Sequence, residues 1–229
     1  MQPYLFPYIG YYQLIAAVDR FVIYDDVNFI KQGWINRNNI LVNGAPYRFT
    51  VPIQSVSSFV AINEVLVDPR AYPAWREKFL KTLTQAYAKA PHFQGTMELV
   101  QRVLDPSATH VVQLARSSVE AVSDHVGIPT TVIPSSSTYG NNALKAQERI
   151  LDICRLEGAA HYINAQGGVD LYDRVTFKEH GFNLSFLQPV ISAYPQGKSA
   201  FVPGLSIIDV LMFNSQEKVR AMVMDTQLN

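Results

Sequence analysis

Thr130-Thr-Val-Ile133, His161-Tyr-Ile-Asn164 and Phe182-Asn-Leu-Ser-Phe-Leu187 are three short runs whose alternation with helical patterns decides the fold. Between the first two, after a polar loop from Ser135 to Gly140, Asn141 or Asn142 is placed to cap a helix reaching about Glu157. Its apolar face would carry Ala143, Ala146, Ile150 and Ile153, and Gly158 stops it. Between the second and third runs, a shorter helix is expected near Tyr172 to His180, stopped at Gly181. Strands alternating with helices read as βαβ units and so predict a parallel sheet.

Working outward, Phe21-Val-Ile-Tyr24 is a further buried-strand run, and Ile40-Leu-Val42 with Tyr47-Arg-Phe-Thr-Val51 frames Asn43-Gly44, a strong hairpin signal. Val60 to Val67 should continue extended as far as Asp68-Pro69. A helix from about Tyr72 to Ala90 follows from Trp75, Phe79, Leu83 and Tyr87. Met97 to Leu104 and Val111 to Val126 read as two more helices, with Asp105 or Ser107 as the cap of the second. Ser206 and Asp209 form a capping-box-like start to a last helix, Ile207 to Phe213. The expectation is one α/β domain over 1–229, with a Rossmann-like, mainly parallel sheet flanked by helices. It would carry an inserted β-hairpin and a helical insertion at about 70–127.

The first forty residues hold the densest chemistry. Pro3 and Pro7 keep Pro3 to Tyr8 extended, Gly10 permits a turn or close approach, and Tyr11 to Val18 reads as a helix. The strand after it delivers Asp25 and Asp26, of which one faces a cleft, since neighbours on a strand point apart. One carboxylate there suits general-base chemistry on an amine. Lys31 and Arg37 suit an anion, Asn36 and Asn38 suit pyrophosphate or sugar hydroxyls, and Trp34 offers a stacking platform. From the aromatic cluster, Tyr8 and Tyr12 are the candidates to line a pocket. Gln166-Gly167-Gly168 follows a strand, so its amides are placed to cradle a phosphate, with Tyr172 one turn on.

Gln2-Pro-Tyr-Leu-Phe-Pro-Tyr-Ile-Gly-Tyr-Tyr-Gln-Leu-Ile15, Asp25-Asp26-Val and Lys31-Gln-Gly-Trp-Ile-Asn-Arg-Asn38 resemble the opening of the WbqC-like protein family. Thr50-Val-Pro-Ile53, Gly167-Gly168, Leu171-Tyr172, Tyr194-Pro-Gln196 and Phe201-Val-Pro-Gly-Leu-Ser-Ile-Ile-Asp209 continue the likeness along nearly the whole chain. The resemblance implies a role in surface (O-antigen) polysaccharide synthesis, in the form of acyl or aminoacyl transfer to the amine of a nucleotide-linked amino sugar. It also implies that Gln196 and Pro203-Gly204 wall the same cleft, and that an acyl or aminoacyl thioester, an acyl-carrier donor or ATP takes part. Pro7-Tyr-Ile-Gly-Tyr-Tyr-Gln-Leu-Ile15 is also distantly similar to the phosphate-holding turn of nucleotidylyltransferases and pantothenate synthetases. There Tyr8 and Tyr11 stand where two histidines would. Two rival readings follow: an ATP-dependent adenylate-forming or nucleotidylyl-transfer enzyme, and a non-catalytic sugar-nucleotide binding protein.

Composition narrows the classes. Lys plus Arg and Asp plus Glu are both 19, which argues against a general nucleic-acid binder. No apolar run is long enough to cross a bilayer and no leader is apparent, so a cytoplasmic protein without membrane partners is expected. The single cysteine, Cys154, sits among Ile150, Leu151 and Ile153 and reads as a buried apolar residue. His92, His110, His125, His161 and His180 lack ligand spacing, so no metal site is expected.

Overall fold

A computed structural model of the chain describes residues 1–57, 59–198 and 200–229. In chain order it contains α1 (Ile9–Ala16), β1 (Arg20–Val22), β2 (Arg37–Val42), β3 (Ala45–Thr50), α2 (Tyr72–Tyr87), α3 (Phe93–Val103) and α4 (Val111–Val126). There follow β4 (Thr131–Ile133), α5 (Ala146–Leu156), β5 (His161–Ala165), α6 (Arg174–Glu179), β6 (Asn183–Gln188), α7 (Ile207–Phe213), α8 (Gln216–Met224) and β7 (Gln227–Leu228). The architecture is mixed α/β. β1 lies parallel to β4 and β5 parallel to β6, and β7 adds antiparallel to β6.

Among the described residues the strands form three small sheets, where the βαβ rhythm predicted one continuous Rossmann-like ladder. The parallel pairing itself is as the rhythm predicts. What shortens the ladder is local: β1 and β4 have three residues each, and Pro134, which has no N–H to donate, follows β4 directly. Phe21 faces Val132 in that pair, and Leu184 faces Tyr162 in the other.

β2 and β3 form the expected hairpin around Asn43 and Gly44, both left-handed at φ 51° and 76°. That is the geometry a two-residue turn needs to match strand twist, and asparagine–glycine supplies it at low cost. Val60 to Val67 is not a strand. It contains one 3₁₀ turn, Ile62–Glu64, and among the described residues only isolated bridges, Asn28 to Ala61, Ile53 to Val67 and Leu66 to His110. Helix α4 starts after His110, whose N–H is taken by Gln113 at 3.0 Å. Asp105 caps nothing there and instead accepts from Ser107 in the preceding turn. The helices α2, α3, α4, α7 and α8 share one core with α1, whose residues Ile9 to Ile15 are all buried.

The opening segment is held by an interior knot. Phe6 has φ 43°, strained for a non-glycine residue and doubly so before a proline. Three side chains fix it: its N–H donates to Ser118 Oγ at 2.9 Å, and its carbonyl accepts from Asn38 Nδ2 at 2.7 Å and Ser206 Oγ at 2.8 Å. Gly10 is small for a neighbouring reason. A Cβ there would sit 2.5 Å from Cε2 of Tyr8.

Candidate functional site

The polar residues that meet most densely lie past the carboxyl ends of β1 and β4, the end of a parallel sheet where open α/β folds take ligands. Asp25 is buried at the start of the 3₁₀ turn Ser136–Tyr139. Its Oδ1 accepts from Ser135 Oγ at 2.7 Å and from the Ser136 N–H at 3.2 Å. Asp26 accepts from the Ser136 hydroxyl and, at 2.6 Å, from Arg149 of α5. The side chains of Arg149 and Asp26 are 3% and 13% exposed, so the pair is interior on one side and reachable on the carboxylate side. Asn141 Oδ1 takes the Arg149 Nε–H at 3.0 Å, and its amide donates to Asp152 at 2.9 Å.

Arg149 also lies 4.9 Å from the centroid of the Tyr24 ring. Tyr24, Tyr162 and Tyr172 all pack on the buried cluster that holds Phe177, and the rings of Tyr162 and Tyr172 meet edge to face at 5.6 Å. Tyr162 accepts from Asn164 Nδ2 at 3.0 Å, and that same amide lies against Gly168. A run of neighbouring groups therefore leads from Asp25 through Asp26, Arg149 and Tyr24 to the cluster around Phe177, and from there through Tyr162 and Asn164 to Gly168.

Burial pushes the Asp26 carboxyl up, but its bonds from Arg149 and Ser136 outweigh that and hold it below the usual carboxylate range. It is a fixed negative charge at neutral pH. Burial pushes the Tyr24 phenol up, only partly opposed by Arg149. The Cys154 thiol, on the buried face of α5, is pushed up to about 11 by burial, which keeps it protonated at neutral pH. Among the described residues no group of three His, Cys, Asp or Glu is placed to hold a metal ion.

Other expected residues fall in two further places. Lys31, Trp34 and Arg37 lie together at the base of the hairpin: Arg37 donates to the Lys31 carbonyl, and Trp34 is exposed beneath Arg48, whose guanidinium is 5.6 Å from the indole. Tyr12, Asn36, Asn38 and Gln196 are interior. Tyr12 donates to Ser118 O, Asn36 to Val51 O and Asn38 to Leu5 and Phe6. Gln196 bonds Val202 and Asp209. Their amides and hydroxyl hold the backbone and, for Gln196, the Asp209 carboxylate rather than facing solvent. Tyr8 is half-buried over Gly10, so the close approach at that glycine is to a ring of the same chain. Gly167 is exposed with no atom near its absent Cβ, whereas Gly168 is buried.

Arg149 is the residue that sequence reasoning missed. Its place between Glu148 and Ile150 on a helix with an apolar face looks like an exposed arginine, and only the fold brings it to Asp26. Asn141, expected as a helix cap, is drawn into the same cluster, and α5 starts five residues later after an uncapped Lys145. The Ser135-Ser136 pair lay inside a loop recognised as polar and no more.

The sequence model of the WbqC-like protein family matches residues 2–221. A Mycobacterium tuberculosis protein described as uncharacterized (Rv1507c) is 29% identical over 211 residues, 91% of this chain and 89% of the relative. No solved structure matches. No helix among the described residues is long and apolar enough to cross a membrane.

Proposed function

The chain belongs to the WbqC-like protein family, and on that premise we propose that it transfers an acyl or aminoacyl group to the amine of a nucleotide-linked amino sugar. The setting is a cytoplasmic step of surface-polysaccharide synthesis. The observation that carries this reading is the Asp26–Arg149 pair at the strand ends, flanked by Asp25, Ser135, Tyr24 and Tyr172. A carboxylate kept charged and open on one side binds a sugar ammonium. Ring faces beside it suit the pyranose, and serine hydroxyls suit its oxygens. Gly167, with open space around its backbone, is left to meet the diphosphate. The parallel pairs β1–β4 and β5–β6 support a Rossmann-like ancestry for this strand-end placement.

In the step itself, the sugar nitrogen attacks the acyl carbonyl of the donor. The ammonium first gives one proton to water, and the free amine then forms the nitrogen–carbon bond as the donor's thiolate or other leaving group departs. The proton that the nitrogen sheds passes through Asp25 or Asp26 to that leaving group.

Two measurements test it. A thermal-shift screen against nucleotide amino sugars should stabilise the protein by mass action, about 2.7 kcal/mol at a hundredfold excess over Kd. The substitution of Asp25→Asn with Asp26→Asn should then abolish amide formation from an acyl donor. No shift with any nucleotide sugar sinks the substrate class, and unchanged turnover in the double variant removes the carboxylates from the mechanism.

A further inference from the structure

We propose that a second hollow, between β3 and α2, binds a nucleoside diphosphate, with the base held inside and the phosphates at its mouth. The hollow measures about 190 Å³. Its floor is Phe49 and Phe79, whose ring centroids are 4.5 Å apart, and Trp75 stacks on Phe79 at 5.2 Å and 12°. Tyr47, 42% exposed, completes an aromatic wall on the open side. The volume is below the roughly 300–1,000 Å³ of sites that enclose a whole small ligand, so one flat ring enters and the rest stays outside.

The charge at the mouth says which rest. Arg48 and Lys78 both line the hollow, and no carboxylate does. Among the described residues neither has an ion-pair partner, in contrast to Lys81 one turn on, which pairs with Glu77 at 2.6 Å. Arg48 keeps only a 3.4 Å bond to Asn39 and its contact with Trp34. Two cations with no ion-pair partner among the described residues, beside the accessible rings of Tyr47 and Trp75 over the buried Phe49 and Phe79, match a ligand with a π-face at one end and phosphate oxygens at the other. A cationic or purely apolar ligand would leave those charges unanswered. The inference does not depend on which group the protein transfers.

The chain's 2 tryptophans report on it directly, since Trp75 lines the hollow and Trp34 lies under Arg48. Titrating the protein with UDP or ADP at fixed ionic strength should quench tryptophan emission saturably. Inorganic diphosphate should reverse the quench by competition without causing one. R48Q with K78Q, at exposed positions whose loss leaves the melting temperature in place, should weaken the nucleotides about tenfold or more, as loss of two charge-assisted contacts requires. The proposal is overturned if neither nucleotide quenches saturably, or if the double variant binds as the parent does. Because the readout is binding at this hollow and needs no turnover, it stands or falls apart from the transfer reaction.

Discussion

Asp26 and Asp209 are two carboxylates withdrawn from water by opposite means. Asp26 meets a guanidinium and the Ser136 hydroxyl, and keeps a side open. Asp209 in α7 has no exposed surface and is ringed by neutral donors. These are Tyr87 Oη at 2.8 Å, Tyr194 Oη at 2.7 Å and Gln196 Nε2 at 2.7 Å. Burial drives the Asp209 carboxyl upward, and those three bonds only partly oppose it. Burial, with the Asp209 charge second, drives both phenols far above the ordinary range. A cation partner yields a charge available to a ligand. A cage of neutral donors yields a clasp, here tying α7 to α2 and to the segment around residues 194–202. Ser206 caps α7 as expected, its Oγ accepting from the Ile208 N–H at 3.3 Å. The return bond from Asp209 is absent because that carboxylate is turned inward to the clasp, and the Ser206 N–H donates to Asn39 O instead.

The largest effect that could break this contrast is at Arg149. Arg149→Met leaves the Asp26 charge without its partner, and a loss of about 3 kcal/mol is expected by urea unfolding, the lower end for such deletions because Asp26 retains some solvent. With Asp26→Asn added, the combined loss should fall short of the sum of the single losses, the signature of direct coupling. A cost for Arg149→Met no greater than that of an ordinary surface change would dissolve the pair.

The pH dependence sharpens the contrast because the two groups have opposite signs. Asp26 has a folded-state pKa below the ordinary 3.8 of an aspartate, so its contribution is present above 3.8 and is lost as pH falls through the folded value. Asp209 has a folded-state pKa above 3.8, so the folded state holds the proton more tightly. Its contribution is full below 3.8 and declines as pH rises through the folded value. The stability difference between parent and Asp26→Asn should therefore grow with pH from below 3.8. That between parent and Asp209→Asn should shrink with pH above 3.8. Two difference curves of the same slope would refute the distinction.

Much of the fold was legible because it rests on local signals. Asn43-Gly44 marks its hairpin, the four-residue spacing of Phe79, Leu83 and Tyr87 marks α2, and the β-branched run Thr131-Val-Ile133 marks β4. Helix α8 and the terminal β7 carry weaker patterns and escaped notice. The site was legible in part: Asp25, Asp26, Tyr172 and the glycine pair were readable as polar or flexible residues past strands. Arg149 was not, since a partner 123 residues away leaves no local trace. Asn38 and Gln196 misled for a related reason. A buried amide that satisfies a strained turn or a carboxylate has the same one-letter signal as one that meets a sugar.

The smallest effects belong to the glycine pair, and there the two adjacent residues should separate structure from function. A Cβ at Gly168 would lie 3.0–3.3 Å from the Asn164 amide, which is fixed between the Ala165 N–H and the Tyr162 hydroxyl and cannot turn away freely. Gly168→Ala should cost about 1–2 kcal/mol, measured as a lowered urea midpoint. Gly167 has nothing within 4 Å of that position, so Gly167→Ala should change stability by no more than about 0.5 kcal/mol. If its open backbone meets a diphosphate, the added methyl should nonetheless diminish the thermal shift produced by a nucleotide amino sugar, read with R48Q and K78Q in place so that the hollow between β3 and α2 contributes nothing. A full shift in Gly167→Ala would mean the diphosphate lies elsewhere, and would leave only the Asp26–Arg149 end of that run of groups as a sugar site.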